Sequence, residues 1–269
     1  MNLSDAEVER CLEASLELAE FAMDTMRRER PTGADVWTKS HAADWVTAVD
    51  LAVEAHVRDR LGAWFPGHGI VGEEYGVSAA REAGGPVWYC DPVDGTTNFV
   101  HGLPWSSFSL AVADSSGLRA GVVADPHRRE VFSAVRGAGA RLDGVAVSCA
   151  PAATLTGAIV LSELEGTRLW DGMTDMAGAL ADTGCVTRVM GSSALTLASV
   201  GAGRAAAAVF GNVHPIDVAA GVLVAREAGC VTRSASRVDP VLGGEPVACR
   251  AAFVASAPGV VDAVVAAIG

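Results

Sequence analysis

The texture of this chain changes twice along its length, and that change limits most strongly what it can fold into. Up to about residue 65 the apolar residues recur at helical spacing. After Pro66-Gly67 they fall into short runs broken by turn residues, and from about Gly157 onward such runs alternate with helical stretches. Clustered strands followed by alternating strands and helices describe an α+β half joined to an α/β half. The join falls near residues 145–155, which divides the chain into 1–150 and 151–269.

The first 28 residues read as an amphipathic helix, with Val8, Cys11/Leu12, Ser15/Leu16, Ala19, Ala22/Met23 and Met26 on one face. Ser4 and Glu7 form a capping-box pattern at its start, and Pro31-Thr32-Gly33 stops it. A second helix is expected over 50–61, where Val49, Val53, Val57 and Leu61 recur four apart. Strands are expected at 87–90, 106–113, 118–124 and 131–135, the middle two as antiparallel neighbours. The later part reads as strand 158–161, helix 169–180, strand 186–190, helix 193–200, strand 205–210, helix 215–228, strand 252–255 and a last helix ending at Ile268. Pro215 suits a first helical position and Gly229 the position past the end.

At about 150 residues per domain, 269 residues are a little under two domains' worth, enough for a core without disulfide or zinc support. The 32 acidic against 20 basic side chains leave a net charge of −12. Such a surface repels nucleic acid and anionic membrane, so neither is an expected partner. Two 19-residue stretches lack formal charge, 95–113 and 144–162, but Asn98, His101 and Pro104 interrupt one and Pro151, Thr154 and Thr156 the other. Neither reads as a membrane span. Asp5, Glu7 and Glu9 stand where a secretory signal would need a basic start. Six scattered cysteines without a CxxC fit reduced thiols, and the cytoplasm is the expected compartment.

The most informative segment is Trp88-Tyr89-Cys90-Asp91-Pro92-Val93-Asp94-Gly95-Thr96-Thr97-Asn98-Phe99. An apolar strand delivers Asp91, Pro92 stiffens the backbone, and Asp94 follows three residues later. Asp-Gly alone is a common hairpin turn. Two carboxylates held this close, however, repel each other by about 1 kcal/mol or more, and a divalent cation removes that repulsion. Oxygen ligands with no nearby Cys or His suit a hard ion, Mg²⁺ ahead of Ca²⁺ or Mn²⁺. If a helix starts after Asp94, the N–H groups of Gly95 and Thr96 form an anion cradle. Gly72-Glu73-Glu74 upstream reads equally as solvated surface, Lys39…Asp44…Thr47…Asp50 as ordinary chemistry before a helix, and Asp217 as a residue favoured by a helix N-terminus.

Gly-Glu-Glu at 72–74, Asp-Pro-Val-Asp-Gly-Thr-Thr-Asn-Phe at 91–99 and Asp217-Val-Ala-Ala-Gly221…Glu227-Ala-Gly229 together resemble the signature blocks of the inositol monophosphatase family, in the same order and at similar separations. With Lys39, Asp44, Thr47 and Asp50 upstream and Gly191-Ser192-Ser193 between, the likeness spans about residues 35–230. It implies an αβαβα layered sandwich, a homodimer, and Mg²⁺-dependent hydrolysis of a small phosphate ester such as inositol 1-phosphate.

By matching position, the resemblance assigns Glu73, Asp91 and the Val93 carbonyl to one Mg²⁺. It assigns Asp91, Asp94 and Asp217 to a second, and a weaker third ion near Glu73. Thr96, hydrogen-bonded to Asp50, would orient and deprotonate the attacking water together with Glu73. The Gly95 and Thr96 N–H groups would hold phosphate, and Gly191, Ser192 and Ser193 would line the alcohol side. Paired ions suit the task, since phosphate monoesters hydrolyse extremely slowly in water and a −12 protein would otherwise repel a dianion.

Two positions depart from the family pattern. Phe210 stands where inositol-specific members carry a Glu for ring hydroxyls, and Ile216 where Trp is usual. An aromatic ring accepts no hydrogen bond from a polyol, and an unpaired buried hydroxyl costs about 1–3 kcal/mol. Histidinol phosphate, fructose 1,6-bisphosphate, a 3′-phosphonucleotide or NADP therefore stay open as substrates, as does a non-catalytic regulatory binding role. Gly201-Ala202-Gly203-Arg204-Ala205-Ala206 fits a dinucleotide pattern but has a helix before it and a strand after, the reverse of what that fingerprint needs.

Overall fold

The computed structural model describes residues 2–29, 35–38 and 45–269. Pro31-Thr32-Gly33, Lys39 and Asp44 lie outside the described residues. Helix α1 (Asp5–Arg28) starts on the expected capping box: Glu7 N–H donates to the Ser4 hydroxyl, and the Glu7 carboxylate accepts Ser4 N–H at 2.8 Å. Strands β1 (Val36–Thr38) and β2 (Trp45–Thr47) form a two-stranded ribbon. Helix α2 (Ala48–Trp64) begins two residues before the expected start at 50. Thr47 is its N-cap, accepting from Val49 and Asp50 N–H, while Asp50 accepts Thr47 N–H at 2.9 Å.

Next come β3 (Gly69–Gly72), β4 (Gly76–Ser78), β5 (Val87–Asp94), α3 (Thr96–His101), β6 (Ser107–Asp114), β7 (Gly117–Asp125), β8 (Glu130–Val135), β9 (Gly139–Leu142) and β10 (Val145–Val147). Their strands build an eight-stranded sheet in the order β10-β9-β8-β7-β6-β5-β3-β4, antiparallel except for β3 against β5. The remaining elements are β11 (Ile159–Ser162), α4 (Met173–Asp182), β12 (Val186–Val189), α5 (Ser193–Gly201), β13 (Ala207–Phe210), α6 (Pro215–Glu227), β14 (Val231–Ser234), β15 (Glu245–Pro246), β16 (Phe253–Ser256) and α7 (Val261–Ile268). These strands form a six-stranded mixed sheet in the order β12-β11-β13-β16-β14-β15. Strands of two to four residues, such as β4 and β15, are too short to carry an alternating apolar signal.

Helices α1 and α2 cover one face of the eight-stranded sheet, α5 and α6 fill the space between the sheets, and α4 and α7 cover the far face of the six-stranded sheet. The fold is therefore α+β, an αβαβα layered sandwich. Alternation along β6 shows the layering: Phe108, Leu110 and Val112 join the core under α1 and α2, whereas Ala111 and Ala113 join the central one. Residues 194–201 of α5 and 218–225 of α6 are buried on every side, as a helix between two sheets must be. Small residues permit that crowding. A Cβ added at Gly221 would lie 2.7 Å from Leu197 Cβ.

Helix α4 starts at Met173, later than the expected 169. Trp170 is held out of the helix because its ring packs against Gly211 and its Nε1–H donates to Ser162 Oγ at 3.3 Å. Among the described residues, no helix is long and apolar enough to cross a membrane.

Candidate active site

The expected strand at 87–90 continues through Pro92 to Asp94, and the extension decides where two carboxylates point. Asp91 pairs with Ser109 and Asp94 with Ser107, so three steps on β5 oppose two on β6. That extra residue is a bulge at Pro92, which has no N–H to give the ladder. Directly paired residues share a face, so both acids turn toward α5 and α6, the side on which Ala111 and Ala113 lie. Without the bulge, Asp94 would face α1 and α2.

Gly95 follows with φ +88° as the N-cap of α3. A Cβ there would meet the Gly191 carbonyl oxygen at 2.6 Å, so glycine is required both for conformation and for space. The first helical bond of α3 runs from Phe99 N–H to the Gly95 carbonyl at 3.0 Å. The N–H groups of Thr96 and Thr97 consequently have no acceptor within the helix. The Thr96 hydroxyl lies 2.9 Å from the Val93 carbonyl and 3.3 Å from Asp50 Oδ1, and its single proton is shared between them. Asp50 is fully buried, and burial pushes its carboxyl up to about 6.

Glu73 sits in the turn between β3 and β4, its N–H bonded to the Cys90 carbonyl at 3.3 Å. Its carboxyl hydrogen-bonds that of Asp91. Burial, then the neighbouring charges of Glu73, Asp94 and Asp217, raise Asp91 well above the usual carboxylate range. Asp217, in the first turn of α6, is near enough for its charge to bear on Asp91. Asp91 also accepts Val93 N–H at 3.0 Å.

Asp94 is held differently. Its carboxylate accepts the Ser192 hydroxyl, Ser193 N–H at 3.1 Å and Ala194 N–H at 2.8 Å, so it caps α5 from a distant strand. Burial still raises it to about 6 against those hydrogen bonds. A second acid, Glu163, serves the same helix start: it accepts Gly191 N–H and the Thr196 hydroxyl, the latter at 2.7 Å. Burial pushes Glu163 up to about 7. Asn98 ties α3 to this segment, donating to the Trp105 carbonyl at 2.7 Å and the Met190 carbonyl at 2.8 Å.

A cavity of about 560 Å³ opens beside these groups, and Glu73, Asp94, Gly95, Thr96, Gly191 and Ser193 line it. Asn98 of the 91–99 block lines it too, as do Glu163 and Trp45, which the sequence offered little to single out. Glu163 shows only as an acid closing a short apolar run, and Trp45 as an aromatic before a helix. Asp50, Asp91, Val93 and Ser192 are buried behind the wall rather than in it, and Asp217 is half-buried in the first turn of α6. Phe210 does not reach the cavity. It closes β13 at 1% exposure in the central core, paired with Phe253. Ile216 is half-buried in the first turn of α6.

Among the described residues, no three acidic, histidine or cysteine side chains stand as a ready-made ion cage. The donor chemistry nevertheless fits a hard divalent ion. Glu73, Asp94 and Asp217 are oxygen donors whose charges disfavour that of Asp91, and a cation drawn among them would relieve it. A second cavity of about 450 Å³, between α1 and β7–β9, is lined by Arg119, Arg136 and Arg141. Each already has a partner, Asp114, the Ser116 carbonyl and the Gly144 carbonyl respectively. Asp5 and Glu9 of α1 line it as well.

The inositol monophosphatase family model matches residues 7–266. Over 83% of this chain and 82% of the relative, the sequence is 36% identical to the Nus factor SuhB of Escherichia coli K12. It is 30% identical to inositol monophosphatase 1 of Sus scrofa over 82% of each chain. The solved IMPase of Thermotoga maritima superposes with a TM-score of 0.83 at 28% identity, covering 96% of both chains. The arrangement of layers and the matched sequence lead to one conclusion: this chain belongs to the inositol monophosphatase family.

Proposed function

We propose that the protein is a Mg²⁺-dependent phosphomonoesterase acting on a small phosphorylated alcohol, inositol 1-phosphate first among candidates, in the cytoplasm and as a homodimer. The observation that carries this reading is the bulge that turns Asp91 and Asp94 to one face, beside the open N–H groups of α3. Glu73, Asp91, the Val93 carbonyl, Asp94 and Asp217 would hold two to three ions. When bound, such ions supply a nucleophilic water at neutral pH and neutralise the ester's charge.

The chain's own groups do the rest. Gly95 and Thr96 N–H groups receive phosphate oxygens. The Thr96 hydroxyl, anchored on Asp50 and Val93, orients the attacking water, and Glu73 takes its proton. Gly191, Ser192 and Ser193 place the alcohol side. Phosphate release from inositol 1-phosphate with Mg²⁺, and its loss with chelator, is the expected result; release unaffected by chelator would overturn the ion assignment.

Two observations favour further readings. Phe210 lies in the core, so the family's polyol-holding carboxylate has no counterpart on β13. The same chemistry on histidinol phosphate, fructose 1,6-bisphosphate, a 3′-phosphonucleotide or NADP is the alternative, decided by kcat/KM across those esters. Relatives named Nus factor favour a non-catalytic binding role. A chain that hydrolyses none of these esters but retains a stoichiometric partner would establish it.

A further inference from the structure

Helix α2 carries a second carboxylate one turn beyond Asp50. Glu54 is fully buried, and its hydrogen bonds go elsewhere than to Thr96. It reaches across to the β3–β4 turn instead, accepting Glu74 N–H at 2.6 Å and Tyr75 N–H at 3.1 Å. Arg58, four residues on, donates Nε–H to the same carboxylate at 2.7 Å. Its other nitrogens reach the Gly76 carbonyl and, at 3.0 Å, the Ser78 hydroxyl. The backbone yields room for this clamp: a Cβ at Gly72 would lie 2.1 Å from Glu54 Oε1.

Residues 74, 75, 76 and 78 are thereby fixed to α2, and Glu73 immediately precedes the clamped stretch. A buried acid is expensive unless paired and hydrogen-bonded, and Glu54 meets that condition through Arg58 and this turn together. Residues four apart on a helix lie on one face, so Asp50 and Glu54 make α2 a two-point support: one point fixes Thr96, the other the turn that presents Glu73.

We propose that Glu54 is a positioning residue that sets the place of Glu73, so that divalent-ion affinity depends on Glu54 although Glu54 is not an ion ligand. This rests on the reading of Glu73 as a ligand given above. Replacing an outer partner of a metal ligand costs about 10–100-fold in affinity. Glu54→Gln keeps the shape but turns an N–H₂ group toward N–H donors. Gly72→Ala keeps the carboxylate and displaces it.

The test titrates Mg²⁺ and Mn²⁺ calorimetrically into the full chain as wild type, E54Q, G72A and E73Q, with circular dichroism to verify folding and phosphate release measured against Mg²⁺. E54Q and G72A are expected to bind ions about 10–100-fold more weakly while staying folded. Excess Mg²⁺ should restore most of their kcat, whereas E73Q, lacking the ligand itself, should stay slow. Wild-type affinity in E54Q would overturn the proposal, as would a rate that stays low in E54Q at saturating Mg²⁺. If E54Q fails to fold, G72A decides by the same two criteria. A wild type that binds no ion and releases no phosphate would instead defeat the phosphatase reading, and the proposal with it.

Discussion

Helices α2 and α5 both anchor acids of the candidate site, and they do it in opposite ways. Helix α2 sends carboxylates outward: Asp50 reaches the Thr96 hydroxyl and Glu54 reaches the β3–β4 turn. Helix α5 receives carboxylates at its start, where Ser192, Ser193 and Ala194 donate to Asp94, and Gly191 and Thr196 to Glu163. An acid supplied by a helix places a distant loop, while an acid received by a helix N-terminus is steadied by the dipole and by open N–H groups. The α5 side is therefore satisfied by hydrogen bonds without any ion. Asp91 faces the charges of Glu73, Asp94 and Asp217, and that is the side an ion would most relieve.

The contrast breaks most visibly at the acids themselves. Asp91→Asn and Asp94→Asn should each lower kcat by about 10³-fold or more. They should differ in stability: D94N turns an N–H₂ group toward the Ser193 and Ala194 N–H donors and should lower Tm, whereas D91N should leave Tm level or raise it in chelator. Equal melting shifts in the two variants would contradict the comparison. Next in size, Glu163→Gln turns an N–H₂ group toward Gly191 N–H and should cost about 10–100-fold in kcat/KM through the 191–193 segment. An unchanged value would make Glu163 a bystander.

A smaller effect concerns pH without ions. Asp50 and Asp94 stand at about 6, and Glu163 at about 7. Each is raised, so the folded state binds more protons than the unfolded one as pH rises from about 4 to about 7. Stability from these groups is full below that window and falls through it. In chelator, Tm should drop between pH 5 and 7.5, and Mg²⁺ should flatten the slope; a chelated Tm that climbs with pH would refute this. Thr47→Ala should then cost about 1 kcal/mol through the α2 cap, with some loss of rate because Asp50 loses a partner. Smallest should be the effect of Phe210→Leu on KM, within about twofold, with the cost in stability instead, as expected for a core substitution. A large KM change there would place position 210 at the substrate after all.

Much of this was legible one residue at a time. The capping box at Ser4 rests on contacts three residues apart, and the run from Asp91 to Thr97 carries its acids, its proline and its N–H cradle within seven positions. Glu54 was hidden because it looks like any polar residue on a helix, and Glu163 because its partners lie 28 and 33 positions onward. Phe210 was misplaced as a pocket residue since position in a motif says nothing of which way a strand side chain points.

By itself, the sequence determined the order of the longer helices and of the strands that frame them, the amphipathic first helix and the oxygen-only character of the acids, because these depend on neighbours within a helical turn or a strand. Only the tertiary structure decided which face those acids share. A strand's sidedness is set by its ladder, and one bulge opposite Ser107 and Ser109 reverses it.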